Sequence, residues 1–331
     1  DGSHEVLEKW SDPDGERVGI PILVFNQEPC GLSSARQLSL THSSGEWVAI
    51  TDIDCRPEPN WITELMKHRS GIDSEENVVA ITGRTIFESD ASLISKIRAI
   101  EIARKYRSRP RRTSLANGPC SLFHRDSLIN SGGFGSDWYH AEDMEVSLNL
   151  QRLGGAIIYT PDSVVRHVAE DNLKTFLRKR ERDARAHVRI IRHFPRKSRP
   201  ANFDFIGISW LVFLHLPLLV TLLAASPLLY KLLLTNFSAD LAEIYLWSEF
   251  IFFIIAIGAL ICDLLLFVFG LLRVFTDSSD IQLRHTVGLF LLFSFWSLAL
   301  WKGTCLGIID SIVKRNGHLS SSEIKLRNNQ S

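Results

Sequence analysis

The chain has 331 residues, with 37 Lys and Arg balancing 37 Asp and Glu, and it is long enough for two ordinary domains. The zero net charge says little about partners, because charge crowds into the first two hundred positions while 203–313 carries long apolar runs. The five cysteines (Cys30, Cys55, Cys120, Cys262, Cys305) form no C-x-x-C pair. This excludes a disulfide framework and a zinc pattern, and suits a reducing, cytoplasmic setting. Nothing at the N-terminus reads as a signal peptide, and the opening Asp1-Gly2-Ser3, without an initiator Met, reads as a missing beginning.

In chain order, Gly19–Val24 predicts a short strand, Ser33–Ser43 a helix, and Glu46–Thr51 a buried strand. Asn60 is placed to cap a helix reaching about His68, with Trp61 and Leu65 four residues apart. A strand follows at Asn77–Thr82, then a helix capped by Ser89 or Asp90 and running to about Arg107. Beyond it come a strand at Ser121–His124, a helix over Glu142–Leu153, and strands at Ala156–Tyr159 and Val164–His167. Strands alternating with helices imply an α/β fold with a largely parallel sheet, whose ligands sit at the carboxyl ends of its strands.

Thr51-Asp52-Ile53-Asp54-Cys55 follows such a strand. Two carboxylates one residue apart can hold a divalent cation together with a diphosphate, since Mg2+ and Mn2+ favour hard oxygen ligands. The alternative is a solvated turn whose Asp caps the next helix. Ala141-Glu142-Asp143-Met144-Glu145 opens a helix with acids, which its positive end favours without any catalytic role. Gly132-Gly133 reads as a helix C-cap and turn.

The run Gly31-Leu32-Ser33-Ser34-Ala35-Arg36, then Gly45-Glu46-Trp47, Thr51–Pro57 and Pro59-Asn60-Trp61, strongly resembles the family 2 glycosyltransferases. Asp1-Gly2-Ser3 resembles the family's Asp-Gly-Ser after its second strand, so the likeness covers nearly all of residues 1–200. Asn117-Gly118-Pro119-Cys120 with Gly132-Gly133-Phe134 resembles its acceptor-side segment. The resemblance implies a GT-A-like, mostly parallel sheet flanked by helices. It implies Asp143 as general base, with Glu142 beside it, and Asp54, Asp52 and His167 as ligands of Mg2+ or Mn2+. It implies donor contacts from Asp1, Arg36 and Asp52. Arg182 and Arg185 are the nearest counterparts of a Gln/Arg-rich diphosphate motif, although the Gln-x-x-Arg-Trp form of processive synthases is missing. A strand and helix that hold the nucleotide base would precede Asp1, so a domain over 1–172 is expected to be N-terminally incomplete and to bind donor poorly.

Residues 173–200 predict a basic amphipathic helix lying on anionic lipid headgroups, a more fitting partner than nucleic acid beside an apolar span. Three stretches exceed the roughly 20 residues that cross a bilayer: about Phe205–Leu234, Leu246–Val274 and Thr286–Val313. Pro217 and Pro227 would kink the first, and Asp263 is an intramembrane acid of unassigned role. The Lys/Arg cluster from Arg178 to Arg199 places the catalytic half in the cytoplasm of a multi-pass protein of the cell membrane. The basic tail, 314–331, conflicts with a third full crossing.

The expected activity is inverting transfer of a sugar from a UDP- or GDP-linked donor to a lipid-linked or glycan acceptor. Two alternatives stand beside it: a polyprenyl-phosphate glycosyltransferase, and a non-catalytic membrane protein that keeps a degenerate transferase fold.

Overall fold

The computed structural model describes residues 2–17, 19–28, 30–71, 76–90, 92–135, 140–199, 211–222, 242–278 and 280–313. Asp1, the tail from 314 and all of the first apolar stretch except 211–222 lie outside them.

Helices α1 (Ser3–Trp10) and α2 (Leu32–Thr41) precede strands β1 (Trp47–Ile50) and β2 (Cys55–Pro57). Next come α3 (Trp61–Met66), β3 (Val78–Glu88), α4 (Leu93–Arg107), β4 (Arg112–Thr113) and β5 (Ser121–His124). Helices α5 (Arg125–Asn130) and α6 (Glu142–Arg152), strand β6 (Ala156–Val168) and helix α7 (Leu173–His193) complete the α/β half. Helix α8 (Leu211–Leu222), α9 (Ala242–Asp277) and α10 (Thr286–Ile312) form the apolar half. Helix α4 starts at Ser92, whose side chain accepts from the Ser95 amide, rather than at Ser89 or Asp90.

The sheet runs β1-β5-β3-β6-β2, with β4 also on β6. It is mixed rather than mostly parallel. Among the described residues only β3 and β6 run parallel, while β1–β5, β3–β5, β2–β6 and β4–β6 are antiparallel. The strand–helix alternation misleads because α4 is not a crossover: after it the chain runs back in β4 and β5, against β6 and β3. Strand β6 is one 13-residue element rather than two, with β4 at its start and β2 at its end. Residues 19–24 make a single bridge, Asp12 to Ile22, instead of a strand. Ile20 and Leu23 are exposed there, so no buried face holds a strand in place. Strand β1 is half-buried, as suits the edge of a sheet.

One core cluster joins the two halves. Ile97 and Ile100 of α4, Phe176 and Ala184 of α7, Val212 of α8 and Val274 of α9 surround Leu289, Leu292, Phe293, Trp296 and Leu300 of α10. Helices α7 and α10 run side by side in the same direction. Phe176 meets Trp296 edge-on at 5.1 Å, Lys302 reaches Glu181 at 2.8 Å, and Arg185 holds Asp310 at 2.5 and 2.9 Å. A Cβ on Gly303 would overlap the Glu181 carbonyl oxygen, and one on Gly307 would lie 2.8 Å from Val188 Cβ. The two glycines let the backbones touch, as small residues four apart do in packed apolar helices.

Two segments, Phe253–Asp277 and Leu283–Ile312, are long and apolar enough to cross a membrane. They are buried to different extents, 22% against 44%. Asp263 pairs with His215 Nδ1 at 2.6 Å, and His215 Nε2 meets Ser294 Oγ at 2.9 Å. This polar clamp holds α8, α9 and α10 together and satisfies the buried acid within the helices.

Candidate active site

The site gathers at the ends of β1, β2 and β6, on the loop before β5 and on the first turn of α6. Residues 51–54 leave β1 as a turn, closed by Cys55 N donating to Asp52 O at 3.0 Å. The two acids therefore face different partners, as they would not on an extended strand.

Asp52 accepts from Arg36 Nη2 at 2.7 Å, and Arg36 Nη1 donates to Glu142. Arg36 is 8% exposed, in the first turns of α2. Burial works against its charge, but Glu142, Asp52 and Asp143 outweigh it and hold the guanidinium above its ordinary pKa. Both ends of Arg36 are thus committed to carboxylates. Arg36 thereby ties α2, the turn after β1 and α6 together. A Cβ on Gly118 would lie 2.6 Å from Arg36 Nη2, so the bare backbone of the 117–120 loop is what admits the guanidinium.

Glu142 and Asp143 follow Ala141, a non-glycine residue at φ 66° and the N-cap of α6. Left-handed backbone at such a position costs about 1–3 kcal/mol and clusters at functional sites. No sequence pattern announces it. Glu142 is 5% exposed; burial first, then repulsion from Asp143, pushes its pKa up against the pull of Arg36. Asp143 is half-buried and accepts from Gly118 N at 3.3 Å and Met144 N at 2.9 Å. One turn on, burial of Glu145 pushes its carboxyl up to about 7, and its Oε2 has no donor.

Asp54 is exposed and lies 3.3 Å from His167 Nε2 across the β2–β6 pair. His167 Nδ1 donates to Val168 O at 2.6 Å, and its ring stacks on Phe87 at 4.6 Å. That fixes the tautomer and turns the Nε2 lone pair toward Asp54, the arrangement second-shell partners give a metal-binding histidine. Asp54, Cys55 and His167 offer ligand atoms within 4.8 Å of one another. Burial, then Asp54 and Asp52, pushes the Cys55 thiol up to about 12, and a soft sulfur suits Mg2+ and Mn2+ less well than oxygen does. Asp52 lies outside this group, held back by Arg36. The donor set that fits a divalent cation is Asp54 with His167, its remaining positions left for phosphate oxygens and water.

The other predicted residues are placed elsewhere. Arg185 is committed to Asp310 on α10, and Arg182 is half-buried on α7 with no acceptor at Nε. Asn117 accepts from Arg109 and donates to Thr85 at 3.1 Å, fixing the loop that carries Gly118. Gly132 and Gly133, at φ 102° and 63°, close α5, Gly133 N donating to Leu128 O at 2.9 Å.

A family model described as glycosyl transferase family group 2 matches residues 47–309, and the chain belongs to that family. It is a glycosyltransferase. Among solved structures it is similar to a mannosyltransferase from Pyrobaculum calidifontis in complex with GDP-mannose and Mn2+. That match is 21% identical over 80% of this chain and 74% of that one, with a TM-score of 0.46. GalNAc-T7 with UDP, GalNAc and Mn2+ is also similar, at 15% identity over 56% of this chain and 42% of that one, with a TM-score of 0.38. No curated protein matches the chain.

Proposed function

We propose that the chain transfers a sugar, with inversion, from a UDP- or GDP-linked donor to a lipid-linked or glycan acceptor. The observation that carries this reading is the division of labour between Glu142 and Asp143. Arg36 takes Glu142, while Asp143 presents a carboxylate held by two backbone amides, with no ion pair of its own among the described residues. Asp143 then serves as general base: it accepts the proton of the acceptor hydroxyl as that oxygen attacks the anomeric carbon and the nucleoside diphosphate leaves from the opposite face. Glu142, Asp52 and Arg36 hold that carboxylate in register. Asp54 and His167 would hold Mg2+ or Mn2+, and the single imidazole leans the set toward Mn2+, since Mg2+ keeps to oxygen ligands. When bound, the ion neutralises charge developing on the leaving diphosphate.

For the membrane half we propose that α9 crosses the bilayer and α10 does not. The part of α10 from Trp296 onward lies along α7, whose Lys and Arg residues do not belong in hydrocarbon. About ten residues before Trp296 remain, roughly half the length a crossing needs.

Nucleotide-sugar turnover by the purified chain in nanodiscs with Mn2+ tests the chemistry. Measurable release of UDP or GDP is expected, falling by about a thousandfold in Asp143→Asn. Full turnover in that variant would sink the base assignment.

A further inference from the structure

Ala141 carries left-handed backbone between two side chains that are each tied down. Such a conformation in a non-glycine residue persists only where its surroundings over-determine it. On the C-terminal side, Glu142 is held by Arg36. On the N-terminal side, His140 Nε2 lies 2.7 Å from Asp183 Oδ1 of α7. The chemistry assigned above makes no use of that second tie.

The anchor is firm. Asp183 also meets Arg180 at 3.0 Å, and Arg180, only 4% exposed, lies 3.6 Å from Glu101 of α4. Burial works against the Asp183 charge, but Arg180 and then His140 outweigh it and hold the carboxyl well below the usual carboxylate range. An ionised carboxylate only accepts, so His140 Nε2 carries the proton and donates. Below the pin, Asp183, Ala186, Ile190 and Phe194 stand three or four residues apart and form one stripe. Ala186, Ile190 and Phe194 share a buried cluster with Ala141, Met144 and Leu148, which seats the start of α6 on α7. Apolar packing is non-directional and does not fix how the turn before α6 is rotated; a hydrogen bond is directional and does.

Asp143, two residues beyond Ala141, depends on that turn. Its bond from Gly118 N is the one that reaches the 117–120 loop, and at 3.3 Å it is long for an amide on a carboxylate. A small rotation at Ala141 is enough to break it.

We propose that His140 is a positioning residue: its bond to Asp183 holds the turn at Ala141 and so keeps the Asp143 carboxylate on the Gly118 amide and turned toward the acceptor. The assignment rests on the reading of Asp143 as base. His140 acts through Asp143 rather than on the reacting atoms. Since α10 docks on the same α7, the base is held in register with the helix that joins the two halves.

Two substitutions of His140 in the full chain in nanodiscs test this. His140→Leu keeps bulk and removes the donor, whereas His140→Gln keeps an N–H that reaches Asp183. Nucleotide release is followed with Mn2+ and with GDP-mannose and UDP-glucose offered in turn, and amide exchange of the Gly118 segment by mass spectrometry. In His140→Leu, kcat per folded molecule should fall about tenfold or more with the donor KM within about twofold. The Gly118 amide should exchange about tenfold faster, with β3 exchanging as before. His140→Gln should stay within about threefold of wild type in both readouts. Unchanged Gly118 exchange in His140→Leu would overturn the proposal. So would an equal loss in His140→Gln, which assigns the effect to ring packing, or a loss confined to the donor KM. Asp143→Asn run alongside separates the two readings. Wild-type turnover in His140→Leu beside an inactive Asp143→Asn defeats the positioning role alone. Full turnover in Asp143→Asn with faster Gly118 exchange in His140→Leu defeats the base reading and keeps the pin.

Discussion

The acids of the apolar half and those of the candidate site are used in different ways. In the apolar half, Asp263 has His215, Asp277 has Arg104 and Arg107, and Asp310 has Arg185, each partner on a different element. Every one of those carboxylates is a clamp. Around the candidate site Asp52 and Glu142 are closed in this way, both by Arg36, whereas Asp54 and Asp143 have no Lys or Arg ion pair among the described residues. An acid whose counter-charge is internal builds the fold; an acid left open marks where substrate or metal supplies the missing charge.

Substituting an open acid should cost activity, and substituting a closed one should cost stability. After the loss expected for Asp143→Asn, the next largest effect is expected for Asp54→Asn, with transfer falling by about a hundredfold, about 3 kcal/mol of lost transition-state stabilisation, and the melting temperature nearly unchanged. Progress curves of nucleotide release with Mn2+ measure it; wild-type rates would break the comparison. Next comes the helix seam. Gly303→Leu forces a side chain into the Glu181 carbonyl and should destabilise the protein by about 1–3 kcal/mol, read as a lower denaturation midpoint in detergent. Asp310→Asn leaves Arg185 without its charge partner and should cost about 1–2 kcal/mol by the same measurement, with turnover per folded molecule retained.

The smallest effect sharpens the rule by pH. Glu145 has a folded pKa of about 7, above the usual carboxylate value. Such a group stabilises the fold only while protonated in both states, and between roughly pH 4.5 and 7 the unfolded chain binds fewer protons, so stability declines as pH rises. Glu145→Gln should therefore raise the stability by about 1 kcal/mol at pH 8, read from the denaturation midpoint, and the gain should vanish below pH 4.5. A gain independent of pH would assign the effect to packing instead.

Much of this was legible in the sequence. The apolar spacing placed α2 and α6 within a residue or two and α7 at its first residue, β5 was read at its observed ends, and the acids after β1 and on α6 that gather at the candidate site were named in advance. What escaped reading lies between residues far apart in the chain. Arg36 and Glu142 are 106 positions apart, and nothing local shows that one arginine neutralises two of the four acids. The turn at 51–54, which parts Asp52 from Asp54, depends on tertiary packing that overrides the alternation of a strand. Gly303 and Gly307 lie in an apolar stretch that shows nothing of the seam they form, which needs α7 beside them, more than a hundred residues earlier. Ala141 carries positive φ without any of the residues that favour it. Arg109 went unnoticed because an arginine in a basic stretch gives no sign of being buried.

The direct test of the open-and-closed distinction is Mn2+ affinity, measured by electron paramagnetic resonance with UDP or GDP present, for Asp54→Asn and Asp52→Asn side by side. The account predicts that Asp54→Asn weakens Mn2+ binding by about tenfold or more at unchanged stability, while Asp52→Asn lowers stability by about 1–3 kcal/mol and leaves Mn2+ affinity within about threefold. Loss of Mn2+ binding in Asp52→Asn with retention in Asp54→Asn would contradict it.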